Sequence, residues 1–169
     1  MHSIETLFSK NSDEWQTPED LFQDLDREFG FDLDACATES NHMCDKYYSL
    51  AEDGLAQNWG GNTVWCNPPY SQIKAWVRKC YYEGHKPNTT VVLLIPARTD
   101  TKYFQNYILH RCELRFIKGR LKFKGPGAIA NAPFPSVLAI FRGPVEKEVD
   151  KQITIEELMD DIDQGHGDA

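Results

Sequence analysis

The tetrapeptide Asn67-Pro68-Pro69-Tyr70 has the parts needed to hold a planar amine. Its two prolines fix φ near −65° and remove two N–H donors. Asn67, restricted in turn by the proline after it, would then hold its side-chain carbonyl beside the carbonyl of Pro68, giving two acceptors aimed at one NH2 group. Tyr70 adds a flat face on which the ring bearing that amine can stack. The plainer alternative is a Pro-Pro turn after a strand, with Asn67 as an incidental polar residue. The flanking residues decide between the two.

Thr63-Val64-Trp65-Cys66 is a short apolar run of β-favouring residues and reads as a buried strand entering the tetrapeptide. On the other side, Ser71 is a good N-cap for a helix with Ile73, Trp76, Val77, Cys80 and Tyr81 on one buried face, and Gly84 supplies its stop. A strand, a rigid polar loop and a helix place the four residues at the carboxyl end of a sheet, where open α/β folds bind ligands.

Upstream, Thr17 as N-cap, Pro18 at the first helical position and Glu19-Asp20 in the first turn start a helix that buries Leu21, Leu25 and Phe29 and stops at Gly30. Phe31 to Ala37 reads as the first strand. Thr38 to Asn62 is polar and aromatic and reads as a short helix or loop, then a short edge strand near Tyr47-Tyr48. Downstream, the continuous apolar run Val91 to Ile95 predicts a central strand. Thr99 or Asp100 can cap the next helix, which turns Tyr103, Tyr107 and Ile108 inward. Glu113 to Lys124 and Ser136 to Arg142 form a terminal strand pair around a Gly- and Pro-rich loop, Gly125 to Pro135. Met1 to Asp13 has no period and reads as a loose terminus. There is no internal repeat. The expected fold class is therefore α/β, a mostly parallel sheet with helices on both faces and an antiparallel terminal strand pair. One domain is expected over residues 1–143, followed by an acidic tail over 144–169 in which Thr154 and Glu157 can cap a short helix from Ile153 to Ile162.

A chain of 169 residues suits one domain with one substantial core. No run of eighteen apolar residues and no basic-then-apolar leader at Met1-His2-Ser3-Ile4 point to a membrane or to export, so a cytoplasmic location is expected. The five cysteines, Cys36, Cys44, Cys66, Cys80 and Cys112, are odd in number and form no Cys-x-x-Cys pair, which suits reduced, mostly buried thiols. His42 and Cys44 make half a metal site that nothing nearby completes, so no metal is expected.

The formal net charge of −8 argues at first against nucleic acid, but its distribution matters more. From Pro144 onward nine acids against Lys147 and Lys151 leave −7, so the preceding residues carry only −1 of the total. Between Arg98 and Lys124 eight cations against Asp100 and Glu113 give +6. Within that stretch Lys118, Arg120, Lys122 and Lys124 alternate with Ile117, Leu121 and Phe123, and period two puts the cations on one face. A charged strand face is ordinarily just solvated; beside an amine-binding motif it is a candidate phosphate contact.

The order of blocks along the chain resembles the S-adenosylmethionine-dependent amino-methyltransferases, and within them the phage-type DNA N-6-adenine methyltransferases. The resemblance covers Trp15 to Phe141 and rests on Glu14-Trp15-Gln16-Thr17-Pro18, Phe31 to Ala37, Asp53-Gly54-Leu55 with Trp59, Asn67 to Ser71, Leu94 to Arg98, Gly119 to Phe123 and Ala132 to Ser136. It implies an abridged Rossmann-like class I methyltransferase fold, because only 33 positions separate Asp34 from Asn67. It also implies S-adenosylmethionine as cofactor, double-stranded DNA as partner, and a phage- or prophage-encoded enzyme working in a prokaryotic host.

Residue by residue, the resemblance implies that Asn67, Pro68, Pro69 and Tyr70 are catalytic. Thr17-Pro18 would cover the methionine end of the cofactor, unless Thr17 is only a helix cap. Asp32, Asp34, Ala35, Cys36 and Ala37 would meet its ribose or ammonium, and Asp53 and Leu55 its adenine. The glycine-rich loop usual after the first strand is replaced by Ala35-Cys36-Ala37-Thr38. One of the two aspartates would therefore face the ligand and the other merely cap. Tyr70 and Ser71 would meet the extruded base, with Phe123, Asn131 or Phe134 enclosing it, and Arg98, Lys118, Arg120, Lys122 and Lys124 would hold phosphates. Methylation of RNA or of a protein glutamine amide, and a catalytically silent nucleic-acid binder, are the competing readings.

Overall fold

The computed structural model describes residues 16–125 and 128–146; the side chains of 124–130 are not described. The loose start at Met1 to Asp13, the Glu14-Trp15 block and the acidic helix at Ile153 to Ile162 lie outside the described residues. The element order is α1 (Glu19–Phe29), β1 (Leu33–Asp34), β2 (Thr63–Cys66), a 3-10 turn (Tyr70–Gln72), α2 (Ile73–Gly84), β3 (Thr90–Pro96), α3 (Lys102–Tyr107), β4 (Glu113–Phe116), β5 (Lys122–Gly125), β6 (Ala128–Asn131) and β7 (Ser136–Arg142).

Five strands form a mixed sheet in the order β1-β2-β3-β7-β4. β1, β2 and β3 run parallel, and β7 runs antiparallel to both β3 and β4. Strand alternation sends Val91, Leu93, Ile95, Val137, Ala139 and Phe141 into one core layer with Trp76, Val77 and Cys80 of α2 and Tyr103 and Phe104 of α3. Val92, Leu94, Leu138 and Ile140 enter a second layer with Phe22 and Leu25 of α1. Helices therefore cover both faces, which is why β3 and β7 read as unbroken apolar runs.

Several local expectations change. Pro18, with φ −59° and ψ 127°, is the N-cap of α1 rather than its first residue, and Thr17 makes no cap bond. The first strand shortens from Phe31–Ala37 to Leu33–Asp34, and the edge strand near Tyr47 is a single bridge to Asp34. Thr38 to Asn62 contains turns and no helix. Ser71 lies inside the 3-10 turn while Gln72 takes the N-cap of α2. Gly84 is the last residue of α2, not its stop: a Cβ there would come within 2.4 Å of the Phe141 Cβ, so its role is close packing on β7. Thr101, rather than Thr99 or Asp100, occupies the N-cap of α3. Gly30 does end α1, in the left-handed conformation at φ 65°.

The largest change concerns the terminal strands. Glu113 to Lys124 does not form one strand, because Gly119 adopts φ 77° and turns the chain. Of that stretch only β4 pairs with β7, while β5 pairs in a separate antiparallel hairpin with β6, which lies inside the predicted Gly125 to Pro135 loop. The segregation of charge survives the break. Ile117, Leu121 and Phe123 pack on the second core layer, and Lys118, Arg120 and Lys122 are exposed.

Candidate active site

Because β1, β2 and β3 are parallel, their carboxyl ends open on one edge of the sheet, where Ala35-Cys36-Ala37, Asn67 to Tyr70 and Ala97-Arg98 emerge. β7 starts at the same edge: the Ala97 N–H donates to the Pro135 carbonyl at 2.8 Å, and the Ile117 N–H to the Ser136 carbonyl at 3.0 Å. Phe134 and the basic turn after β4 are thereby brought to the side of the sheet that carries Asn67.

A cleft of about 260 Å³ opens there. Its walls include Thr17, Asp34, Cys36, Ala37, Asp53, Leu55, Asn67, Pro68, Pro69 and Ser71, all singled out from the sequence. Pro18, Asp32, Ala35 and Tyr70 are not among its walls. Asp32 is exposed and accepts a hydrogen bond from the Thr63 N–H at 2.9 Å, so it caps β2. Asp34 is the aspartate that faces the cleft.

Asp34 is only 2% exposed, and its carboxylate accepts from the Met43 N–H at 3.0 Å and the Cys36 N–H at 3.3 Å. Burial pushes its pKa up to about 6, and the two backbone donors and nearby His42 only partly offset that penalty. His42 itself stacks on Tyr47 at 4.4 Å, with Nδ1 hydrogen-bonded to the Cys44 carbonyl.

Thr17, relieved of capping, accepts two side-chain donors on one hydroxyl: Asn67 Nδ2 at 3.1 Å and Trp65 Nε1 at 3.3 Å. The orientation of the Asn67 amide thus depends on a residue fifty positions away.

The Asp53–Leu55 wall is held by Gly54 and Trp59. A Cβ on Gly54 would lie 2.2 Å from the Ala35 carbonyl oxygen and 3.1 Å from the Trp76 ring, so only glycine lets this loop reach the end of β1. Trp59 donates its indole N–H to the Gly54 carbonyl at 2.9 Å and its backbone N–H to Glu83 at 2.9 Å. Glu83 is buried on α2 and paired with Lys79 and Lys86, each at 2.7 Å. Burial alone would raise its pKa, but those three donors outweigh it and hold the carboxyl below its ordinary range.

Tyr70 turns its hydroxyl inward, where the oxygen is buried without a hydrogen-bond partner among the described residues, and its ring meets Phe134 edge-on at 5.6 Å. Burial, helped by the Cys66 thiol and opposed by Arg98, drives its pKa well above the ordinary value. An unsatisfied buried hydroxyl contributes nothing favourable. Tyr70→Phe is therefore expected to fold as well as or better than wild type, by up to about 1 kcal/mol, and to keep turnover within about threefold, while Tyr70→Ala loses both. Thermal melts and turnover of the two variants check this; a large loss in Tyr70→Phe would give the hydroxyl a role that its surroundings do not.

Phe123 is fully buried and anchors the hairpin, so it is not placed to enclose a base; Phe134 is half-buried and Asn131 exposed. Arg98, Lys118, Arg120 and Lys122 are exposed, and the Lys124 side chain lies outside the described residues. Arg115 leaves the predicted basic cluster, since it is forked onto Glu28 through two 2.7 Å contacts and also meets Glu113. Gln16, Asn41, Tyr48, Leu50, Trp65, Gln72 and Trp76 also line the cleft and were not singled out. Most lie on irregular loops without a motif, and Trp65 and Trp76 read as core.

A family model described as DNA N-6-adenine-methyltransferase (Dam) matches residues 5–166. A DNA N-6-adenine-methyltransferase of Escherichia phage T1 is 36% identical over 111 residues, 64% of this chain and 46% of that protein. Another of that name, from Haemophilus phage HP1, is 32% identical over 113 residues, 64% of this chain and 65% of its own length. The chain thus spans about half of the first relative and just under two thirds of the second.

Proposed function

The chain belongs to the DNA N-6-adenine-methyltransferase (Dam) family, and we propose that it transfers a methyl group from S-adenosylmethionine to the exocyclic N6 amine of adenine in double-stranded DNA. The observation that carries this reading is the Thr17–Asn67 hydrogen bond, which fixes the Asn67 side-chain amide on the wall of a cleft that also holds a buried carboxylate, Asp34. In fold terms we read the sheet as an abridged Rossmann-like class I methyltransferase. Its catalytic unit is residues 1–143, and it works where the DNA is, in the host cytoplasm.

The cleft fits that cofactor. Asp34 offers a carboxylate for ribose hydroxyls or the methionyl ammonium, and Gly54 removes the one Cβ that would fill the approach to β1. Thr17 and Asn67 stand at the junction with the catalytic loop. When bound, S-adenosylmethionine supplies a methyl carbon already activated by its sulfonium.

The chain's own task is positioning. The adenine amine is a poor nucleophile because its lone pair is delocalised into the ring. Acceptance of its two hydrogens by Asn67 Oδ1 and the Pro68 carbonyl favours a pyramidal nitrogen and stabilises the charge that develops there. No strong base is needed. Base pairing hides the amine, so the nucleotide is extruded and laid on Tyr70, with Phe134 behind the ring. Arg98, Lys118, Arg120, Lys122 and Lys124 hold the phosphates, and DNA affinity then falls steeply with salt.

The reading is tested by offering labelled methyl donor to duplex DNA, structured RNA and a glutamine peptide, at low and moderate salt. Label in DNA alone, with binding that weakens in salt, is expected. Label in RNA or peptide would redirect the substrate assignment, and label nowhere would leave a silent binder.

Asp34 makes cofactor binding depend on pH. Its raised folded pKa, about 6 against an ordinary 3.8, means that the fold favours the neutral acid, so stability without ligand declines as pH rises between those values. A ligand held by the ionised carboxylate has the opposite preference. Affinity for S-adenosylhomocysteine is expected to be flat above pH 6 and to fall by up to about tenfold per unit below it, a slope absent in Asp34→Asn. Calorimetric titration at pH 5 to 8 checks this, and a pH-independent wild type would remove Asp34 from cofactor binding.

A further inference from the structure

Trp76 belongs to the apolar stripe of α2, which accounts for its ring but not for its nitrogen. The residue is 5% exposed and stacks on Trp59 at 6.2 Å, yet its indole Nε1 is buried with no acceptor among the described residues. The two other tryptophans among the described residues each satisfy theirs, Trp59 on the Gly54 carbonyl and Trp65 on the Thr17 hydroxyl. Leaving a buried donor unmade costs on the order of 1–3 kcal/mol, and a phenyl ring would fill the stripe without that cost. Trp76 also lines the cleft, beside the loop of Asp53, Gly54 and Leu55: its ring carbon Cη2 is the nearest side-chain atom to where a Gly54 Cβ would stand.

We infer that the Trp76 indole N–H is a cofactor-binding donor, completed by an acceptor atom on the nucleoside half of the ligand that fills this cleft. The inference rests on the methyltransferase reading and goes beyond it by adding a residue outside the motifs. The nucleoside half is chosen because Trp76 meets the cleft at the Gly54 loop, beside Asp53 and Leu55, the residues that the resemblance assigns to the adenine. A purine and its ribose offer ring nitrogens and ether or hydroxyl oxygens as acceptors. Trp76 thus discriminates for ligands that bring an acceptor to a donor the protein cannot satisfy itself.

The test is Trp76→Phe, which keeps an aromatic ring and removes the N–H. Its signature is a pair of effects of opposite sign: a melting temperature equal to or above wild type without ligand, and affinity for S-adenosylhomocysteine lower by about tenfold, or 1.4 kcal/mol. Calorimetry with 5′-methylthioadenosine, which lacks the amino-acid half, is expected to show the same factor. Unchanged affinity for both compounds in a folded variant overturns the inference, since the donor is then merely stranded in the core. Loss for S-adenosylhomocysteine alone overturns the nucleoside assignment. If Trp76→Phe does not fold, Trp76→His, which retains a ring N–H, separates the cases: near wild-type affinity for both ligands supports the donor, and tenfold weaker binding of a folded variant counts against it. Failure of wild type to bind either compound sinks the methyltransferase reading itself, and is distinct from every result above.

Discussion

Asn67→Ala is expected to lower turnover by about 10² to 10³-fold, the loss typical when one prepositioned group that stabilises transition-state charge is removed. Cofactor affinity should change by less than about threefold, because the amide carbonyl does its work on the amine and tightens only as charge appears there. The Thr17–Asn67 bond adds a second level. Thr17→Val keeps the volume and deletes the hydroxyl that receives both Asn67 Nδ2 and Trp65 Nε1, so the amide loses its anchor while remaining in place. A fall of about tenfold in turnover is expected, as for loss of a hydrogen bond worth about 1.4 kcal/mol. Single-turnover rates with saturating cofactor measure both. Equal losses in the two variants would mean that orientation, not the carbonyl, carries the effect; no loss in Asn67→Ala would remove the motif from the chemistry.

Gly54→Ala has the second large effect, acting on the cleft as a whole. The new methyl would sit 2.2 Å from a backbone oxygen, and backbone at the end of β1 cannot swing away as a side-chain tip does. The loop must retreat, separating Asp53 and Leu55 from β1 and pulling on the Trp59 indole bond to the Gly54 carbonyl. A destabilisation of about 2–3 kcal/mol is expected from such overpacking, together with cofactor binding too weak to titrate. Gly61 is the control: it takes φ 79° but has nothing within 4 Å of where a Cβ would stand, so Gly61→Ala should cost only the strain of that conformation, about 1 kcal/mol, and leave binding intact. Denaturant melts with calorimetry on both variants read this out, and a Gly54→Ala protein that binds normally would show that the loop does not form the cleft wall.

What could be read from the sequence is what short range decides. The strand at Thr63–Cys66, the stop at Gly30, the central run of β3 and the placing of Asn67 at the sheet's carboxyl edge all follow from neighbouring residues. Where distance matters, sequence alone falls short. Pro18 suits either an N-cap or a first helical position, and only the fold, by bringing Asn67 to Thr17 across fifty residues, assigns Thr17 away from the helix. Glu83 looks like a solvated helix residue, but its partner Trp59 is twenty-four positions back. Gly119 sits in an alternating pattern that predicts strand, and its left-handed φ breaks it; the glycine and prolines after Lys124 suggest loop, yet β6 forms there. The choice between Asp32 and Asp34 likewise depends on which carboxylate β2 leaves facing the cleft.

The most direct measurement of the central claim is the identity of the methylated nucleoside. Duplex DNA treated with the protein and labelled S-adenosylmethionine, then digested to nucleosides and separated, is predicted to carry the label as N6-methyldeoxyadenosine, and to carry none when Asn67 is alanine. Label on cytosine, or the same yield of N6-methyldeoxyadenosine from the Asn67→Ala protein at equal times, would contradict an adenine amine held by Asn67 and the Pro68 carbonyl.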